Sequence, residues 1–119
     1  MSNKDKNFVK ELYKNVDALN LDFLDKVLDK DVVFNFSNSH SIQGKENVLK
    51  SNSSFFSSIK AMKHAIEDIY KIDNTLICNG SVNYTRHNNS KHMVKFATIL
   101  KIDNDKIINY KIFADVSNL

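Results

Sequence analysis

Proline is absent from the 119 residues, and no repeat, low-complexity run or linker divides them, so length gives a single domain over residues 1–119. Cysteine occurs once, as Cys78, which excludes an internal disulfide and a zinc site built on thiolates. In the apolar stretch TLICNG that thiol reads as buried and inert. No apolar run approaches the ~20 residues needed to span a bilayer. The N-terminal MSNKDKNFVKEL is charged and has no hydrophobic signal segment, so the cytoplasm is the expected compartment. Without such a signal, the N-x-S/T sequons at Asn79 and Asn83 reflect an asparagine-rich composition rather than glycosylation. Arginine is scarce as well. Arg86 is the only one, and the net charge of +3 comes from lysines interleaved with acids along the chain. Nucleic-acid binding needs basic residues gathered on one face, so this charge describes a solvated surface and no nucleic-acid or membrane partner is expected.

What is present is an ordinary globular composition, 42% hydrophobic and 26% charged, in a chain long enough to bury a core without staples. Phe8, Leu12, Val16 and Leu19 recur at helical spacing and predict a helix over about residues 5–17. Asn20 caps a second short helix, LDFLDKVL. In DVVFNFSN, Val32, Phe34 and Phe36 alternate as in a half-buried strand. The loop SNSHSIQG then leads through Gly44 to a third helix, KENVLKSNSSFFSSI, with Val48, Phe55 and Ile59 on its apolar face. Four segments of strand character follow, AMKHAIEDIYKI, TLICNGSVNYTRH, HMVKFATILKI and KIINYKIFADV, separated by DN, HNNS and DNDK. Short turn-forming connections between long strands predict an antiparallel meander, and helices on one side of such a sheet make an α+β domain.

Alternation sorts the strand residues by face. Met62, His64, Ile66, Tyr70 and Ile72 share one face of their strand; Leu76, Cys78, Val82 and Tyr84 share one face of the next; Val94, Phe96, Leu100 and Ile102 share one face of the third. His64, Tyr84 and Arg86 are thus polar groups among apolar neighbours, the first indication of a site. In the last strand, Tyr110, Ile112, Ala114 and Val116 form the cleaner apolar face. By parity alone Asp115 belongs outside with Phe113 and Lys111, unless a bulge re-aims the strand end.

The segments VVFNFSNSHSIQGKENV, MKHAIEDIY, GSVNYTRHNN and IINYKIFADVSNL, in this order, resemble the NTF2-like superfamily, and within it the small SnoaL-like proteins. The superfamily includes nuclear transport factor 2, ketosteroid isomerase, scytalone dehydratase and the SnoaL-type polyketide cyclases. The resemblance covers essentially the whole chain. It implies an α+β cone in which three N-terminal helices pack on a strongly curved mixed or antiparallel sheet around an internal pocket. It implies that Asp115 faces that pocket, against the parity argument, with His64 and Tyr84 as the other catalytic candidates. Arg86, Phe36, Asn38, Phe96 and Phe113 are the substrate-binding candidates. The chain also departs from better-known members: residues 32–45 hold no acid where ketosteroid isomerases keep their base, and Arg86-His87-Asn88 lacks the carboxylate of the epoxide-hydrolase pattern.

A carboxylate and a histidine in an apolar cavity are suited to general acid–base work, and a tyrosine hydroxyl there can receive a developing enolate. The expected activity is proton transfer on a small hydrophobic carbonyl compound (isomerisation, cyclisation or dehydration) without cofactor. A metal site is not expected, because His87 and His92 lack a third ligand at a recognisable spacing. The bland alternatives are a hydrogen-bonded core histidine at His64, a packing role for Tyr84 and an Arg86–Asp115 ion pair. His40 reads as a solvent-exposed loop residue near a cavity mouth. A second class stands beside the enzyme: a non-catalytic ligand-binding or dimerisation module. Apolar patches among lysines on the other sheet face (Ala65, Ile69, Ile99 and Ile107) fit a homodimer formed through the sheet.

Overall fold

The computed structural model describes all residues, Met1–Leu119. Helix α1, Asn3–Asp17, begins at Ser2, whose Oγ accepts the Asp5 amide at 3.2 Å. The Ser2 hydroxyl also donates to the Asp5 carboxylate at 2.7 Å, so cap and first turn lock each other. Its buried stripe is Val9, Leu12, Tyr13 and Val16, a rotation from the predicted stripe that brings Tyr13 inward and leaves Phe8 half-buried. Helix α2, Leu21–Val27, starts at Asn20 as predicted; the Asn20 side chain accepts the amides of Asp22 and Phe23. Helix α3, Lys45–Ser58, begins at Gly44, where a φ of +88° demands glycine.

The strands are β1 Leu28–Phe36, β2 Ile42–Gln43, β3 Ala61–Ile72, β4 Thr75–Thr85, β5 Lys91–Asp103 and β6 Lys106–Ala114. They form one sheet in the order β2-β1-β6-β5-β4-β3. The last four make the predicted antiparallel meander. The sheet is nonetheless mixed, because β1 joins β6 in parallel and β2, read as loop in the sequence, pairs with β1 through only two residues. No helix is long and apolar enough to cross a membrane.

Irregularities in the ladders bend this sheet and correct the parity argument. Between Ile66 and Asp68 the β3–β4 register slips, leaving Glu67 as the extra residue of a bulge. Beyond it Ile69 packs on the core, while Tyr70 and Ile72 are 55% and 62% exposed. A second slip, between Lys101 and Ile102, accompanies the full burial of Ile107. Ile69 and Ile107 therefore leave the outer face to which alternation assigned them. The core runs between sheet and helices through Leu12, Leu24, Leu28, Leu100 and Ile107, each almost wholly buried and each worth roughly 1.5–3 kcal/mol of hydrophobic transfer.

Candidate functional site

A cavity of about 320 Å³ lies between the sheet and helices α1 and α3, and all six strands contribute to its wall. Of the 20 lining residues, 15 are hydrophobic, and no carboxylate, lysine or arginine is among them. Its volume lies at the small end of ligand pockets. Two imidazole rings, those of His64 and His40, are part of that wall.

His64 projects from β3 before the bulge, with its side chain 8% exposed. Its ring lies 4.5 Å from the ring of Tyr13 and 5.0 Å, edge-on, from that of Phe96. Gly80 stands between Ile66 and Phe96 in the ladder, where the Ala65 backbone comes too close to admit a side chain. Asp17, the last residue of α1, grips His64 at two points: Oδ1 is 2.6 Å from Nδ1, and Oδ2 accepts the His64 amide at 2.9 Å. An ionised carboxylate only accepts, so the ring proton sits on Nδ1 and Nε2 is left without a protein partner. A negative charge at a helix C-terminus is opposed by the helix dipole; here the two hydrogen bonds to β3 offset that cost. Asp17 itself faces a groove on the outer side, while His64 lines both groove and cavity.

Tyr84 is a diagonal neighbour of His64 on the β3–β4 ladder, since His64 opposes Val82 and Met62 opposes Tyr84. It is 3% exposed and lines the cavity. Burial, and after it the negative charge of Asp17, push its phenol up to about 12, so it stays a neutral donor. Deeper in, the Tyr13 hydroxyl meets Thr98 Oγ1 at 2.5 Å, which satisfies the one fully buried polar side chain. Burial likewise raises the Cys78 thiol to about 11 and drives Tyr13 and Tyr110 upward. All four groups are neutral when protonated, and the folded state keeps them protonated to higher pH than the unfolded chain does. Stability should therefore be intact below pH 9. It should fall as the pH rises from the ordinary values of 9.0 and 10.0 for Cys78 and Tyr84 towards 11 and 12, by about 1.4 kcal/mol per pH unit for each group. Denaturant midpoints recorded between pH 8 and 11 measure this; a flat profile would contradict it.

Asp115 is elsewhere. It lies past the end of β6, exposed, with Oδ1 accepting the Ser117 hydroxyl at 2.7 Å and the Ser117 amide at 3.1 Å. The hydroxyl first, and then the amide, hold its carboxyl below the ordinary value. The inward Asp115 implied by resemblance is thereby corrected: no bulge re-aims this end of β6, and parity had it right. Arg86 does not pair with Asp115 either. Its guanidinium donates to the Asn118 carbonyl at 2.8 Å, the Ser90 hydroxyl at 3.1 Å and the Leu119 carbonyl at 3.4 Å, tying down the C-terminal tail. Phe36 and Phe96 line the cavity, whereas Asn38 and Phe113 border only a shallow outer groove shared with Asp115. Phe113 is 48% exposed.

Asp17 had no signal in the sequence, being one acid among many until α1 packs its end on β3. Tyr13 could have been found from the i, i+3, i+4 spacing of Val9, Leu12, Tyr13 and Val16, had Phe8 not completed a competing stripe.

The family model of the SnoaL-like domain matches residues 9–110. An NTF2-like protein of unknown function from Burkholderia pseudomallei superposes with a TM-score of 0.86 at 18% identity, over 99% of this chain and 95% of that one. An epoxide hydrolase of the LEH-like kind from M. tuberculosis gives 0.79 at 13% identity, over 92% and 80%. A protein with a ketosteroid isomerase-like fold from Catenulispora acidiphila, solved with trimethylamine, gives 0.82 at 14% identity, over 92% and 85%. At such identities the likeness is one of fold. Among the curated proteins none matches.

Proposed function

The chain belongs to the SnoaL-like domain family, and we propose that its cavity is a cofactor-free proton-transfer site for a small, uncharged, largely apolar carbonyl compound, with His64 as the base. The observation that carries this reading is the Asp17–His64 pair, which fixes the Nδ1 proton and leaves Nε2 unshared on a ring lining an apolar cavity. His64 Nε2 takes a proton from the carbon beside the carbonyl, and the electron pair moves through the new C=C bond onto oxygen. Tyr84, neutral because it is buried, donates a hydrogen bond to that oxygen. Returning the proton to another atom, closing a ring or expelling hydroxide gives isomerisation, cyclisation or dehydration. With no lysine or arginine on a wall that is mostly hydrocarbon, the cavity suits an uncharged ligand. Asp115 has no part in this chemistry.

The test uses naphthyl methyl ketone in deuterium oxide. The wild type is expected to bind it and to speed deuterium uptake into the methyl group, followed by proton NMR. Binding without exchange would favour the second reading, a ligand-binding module.

The outer sheet face supports a second copy of this chain as partner. Cross-strand neighbours Ile77 and Ile99, and Ala97 and Phe113, make an apolar patch there, with Phe113 half-exposed. Sedimentation velocity is expected to show a dimer that Phe113→Glu dissociates; a monomeric wild type would contradict it.

A further inference from the structure

His40 reaches the same cavity from the other side. It sits in the loop between β1 and β2, next to the β2 edge of the sheet, whereas His64 is on β3, the opposite edge. The loop is held without help from the His40 ring. Ser37 Oγ donates to the Ala114 carbonyl at 2.9 Å and accepts its amide at 3.0 Å. Asn35 donates to Ser41 Oγ at 2.5 Å, and the Ser39 amide to the Phe36 carbonyl at 2.9 Å. The exposed His40 imidazole thus lines a cavity while serving no bond within the fold. The same wall holds Ser39 of this loop and Ser51 and Asn52 of α3, the helix packed on β1 and β2. The Asn52 side-chain NH₂ is spent on the Val48 carbonyl, leaving its oxygen as an acceptor. These four, with His64 and the three tyrosines, are the polar groups of an otherwise hydrocarbon wall. His40 thus enters beside the β2–β1 end of the sheet and His64 and Tyr84 from its β4–β3 end, with the Phe55 ring between, 6.1 Å from that of Phe36 and 5.9 Å from that of Tyr84; a pocket of this kind fixes a ligand's orientation through few polar contacts.

We propose that the cavity takes a ligand with an oxygen at each end, one received by Tyr84 beside His64 and the other by His40, which makes His40 a specificity-determining residue. The distal oxygen is a hydroxyl or a carbonyl, since an imidazole offers both a donor and an acceptor. Hydroxyl neighbours on Ser39 and Ser51 suit either. This inference rests on the cavity being a ligand site, as proposed above, but not on His64 acting as a base.

The probes are para-hydroxybiphenyl and its para,para′-dihydroxy analogue, titrated calorimetrically into the wild type, His40→Ala and His64→Gln. The wild type is expected to favour the dihydroxy compound roughly five- to tenfold, the value of one added hydrogen bond. His40→Ala should abolish that preference, and His64→Gln should retain it. A wild type that binds neither probe, or that shows no preference, overturns the proposal, as does a preference that survives in His40→Ala. Failure of the deuterium exchange with this preference intact would remove the base and leave the two-ended ligand standing.

Discussion

Gly80→Ala is expected to be among the most damaging single substitutions in this chain. Gly80 opposes Ile66 beside the β3 bulge. A Cβ on it would lie 1.9 Å from the Ala65 carbonyl oxygen, 3.0 Å from that carbonyl carbon and 3.2 Å from the Glu67 amide nitrogen. All three are backbone atoms, so no rotamer relieves the clash; β3 or β4 must move by more than 1 Å, a rough figure set by ordinary contact distances, and central ladder hydrogen bonds are lost with the move. The expected cost is about 3 kcal/mol or more, a fall in melting temperature on the order of ten degrees. Gly44→Ala is the comparison: it has the strained φ of +88° but open space, with only the Asn47 side chain at 4.0 Å, and should cost about 1–3 kcal/mol from backbone strain alone. Thermal unfolding followed by circular dichroism decides between them. A Gly80→Ala protein as stable as Gly44→Ala would mean that the bulge tolerates a side chain. The same bulge sets where the upstream half of β3 sits, so fold and site are coupled through this position.

His64→Gln is expected to remove the deuterium exchange of the methyl ketone by a factor of roughly 10²–10⁴, the usual worth of a positioned base, with little change in its binding. Glutamine keeps polarity and approximate volume but has no nitrogen lone pair to take a proton. Asp17→Asn should fall between wild type and His64→Gln. An amide in place of the carboxylate no longer dictates which ring nitrogen carries the proton, and it presents no charge to the imidazolium that forms. Asp115→Asn should match the wild type, because that carboxylate serves only the Ser117 turn. The opposite ranking, with Asp115→Asn inactive and His64→Gln active, would discard this site.

Much of the fold was legible because its signals are local. Asn20 as a cap, the alternation of Val32, Phe34 and Phe36, and the turn sequences between the last four strands each need only a few neighbouring residues. The parallel β1–β6 pairing and the two-residue β2 were hidden, since both depend on partners far along the chain. Alternation failed at Tyr70 and Ile72 for a definite reason: one unpaired residue, Glu67, reverses every face beyond it. The one textual sign of that bulge was Gly80 inside a strand. For the site, His64 and Tyr84 stood out as polar groups on apolar faces, and the structure brings them together. Asp115 shows the reverse lesson. Local alternation placed it outside, resemblance to a family drew it inside, and its bonds to Ser117 support the alternation. Asp17 was illegible, because its meaning arises only where a helix end meets β3.

The proposed chemistry depends on one atom, the proton of the His64 ring. Nitrogen NMR of histidine-labelled protein, above the pH at which the ring loses its second proton, reads it directly. The prediction is a neutral His64 with the proton on Nδ1, held by Asp17, and an unprotonated Nε2 whose resonance responds when naphthyl methyl ketone enters the cavity. A His64 protonated on Nε2, with a signal indifferent to the ketone, would contradict the account.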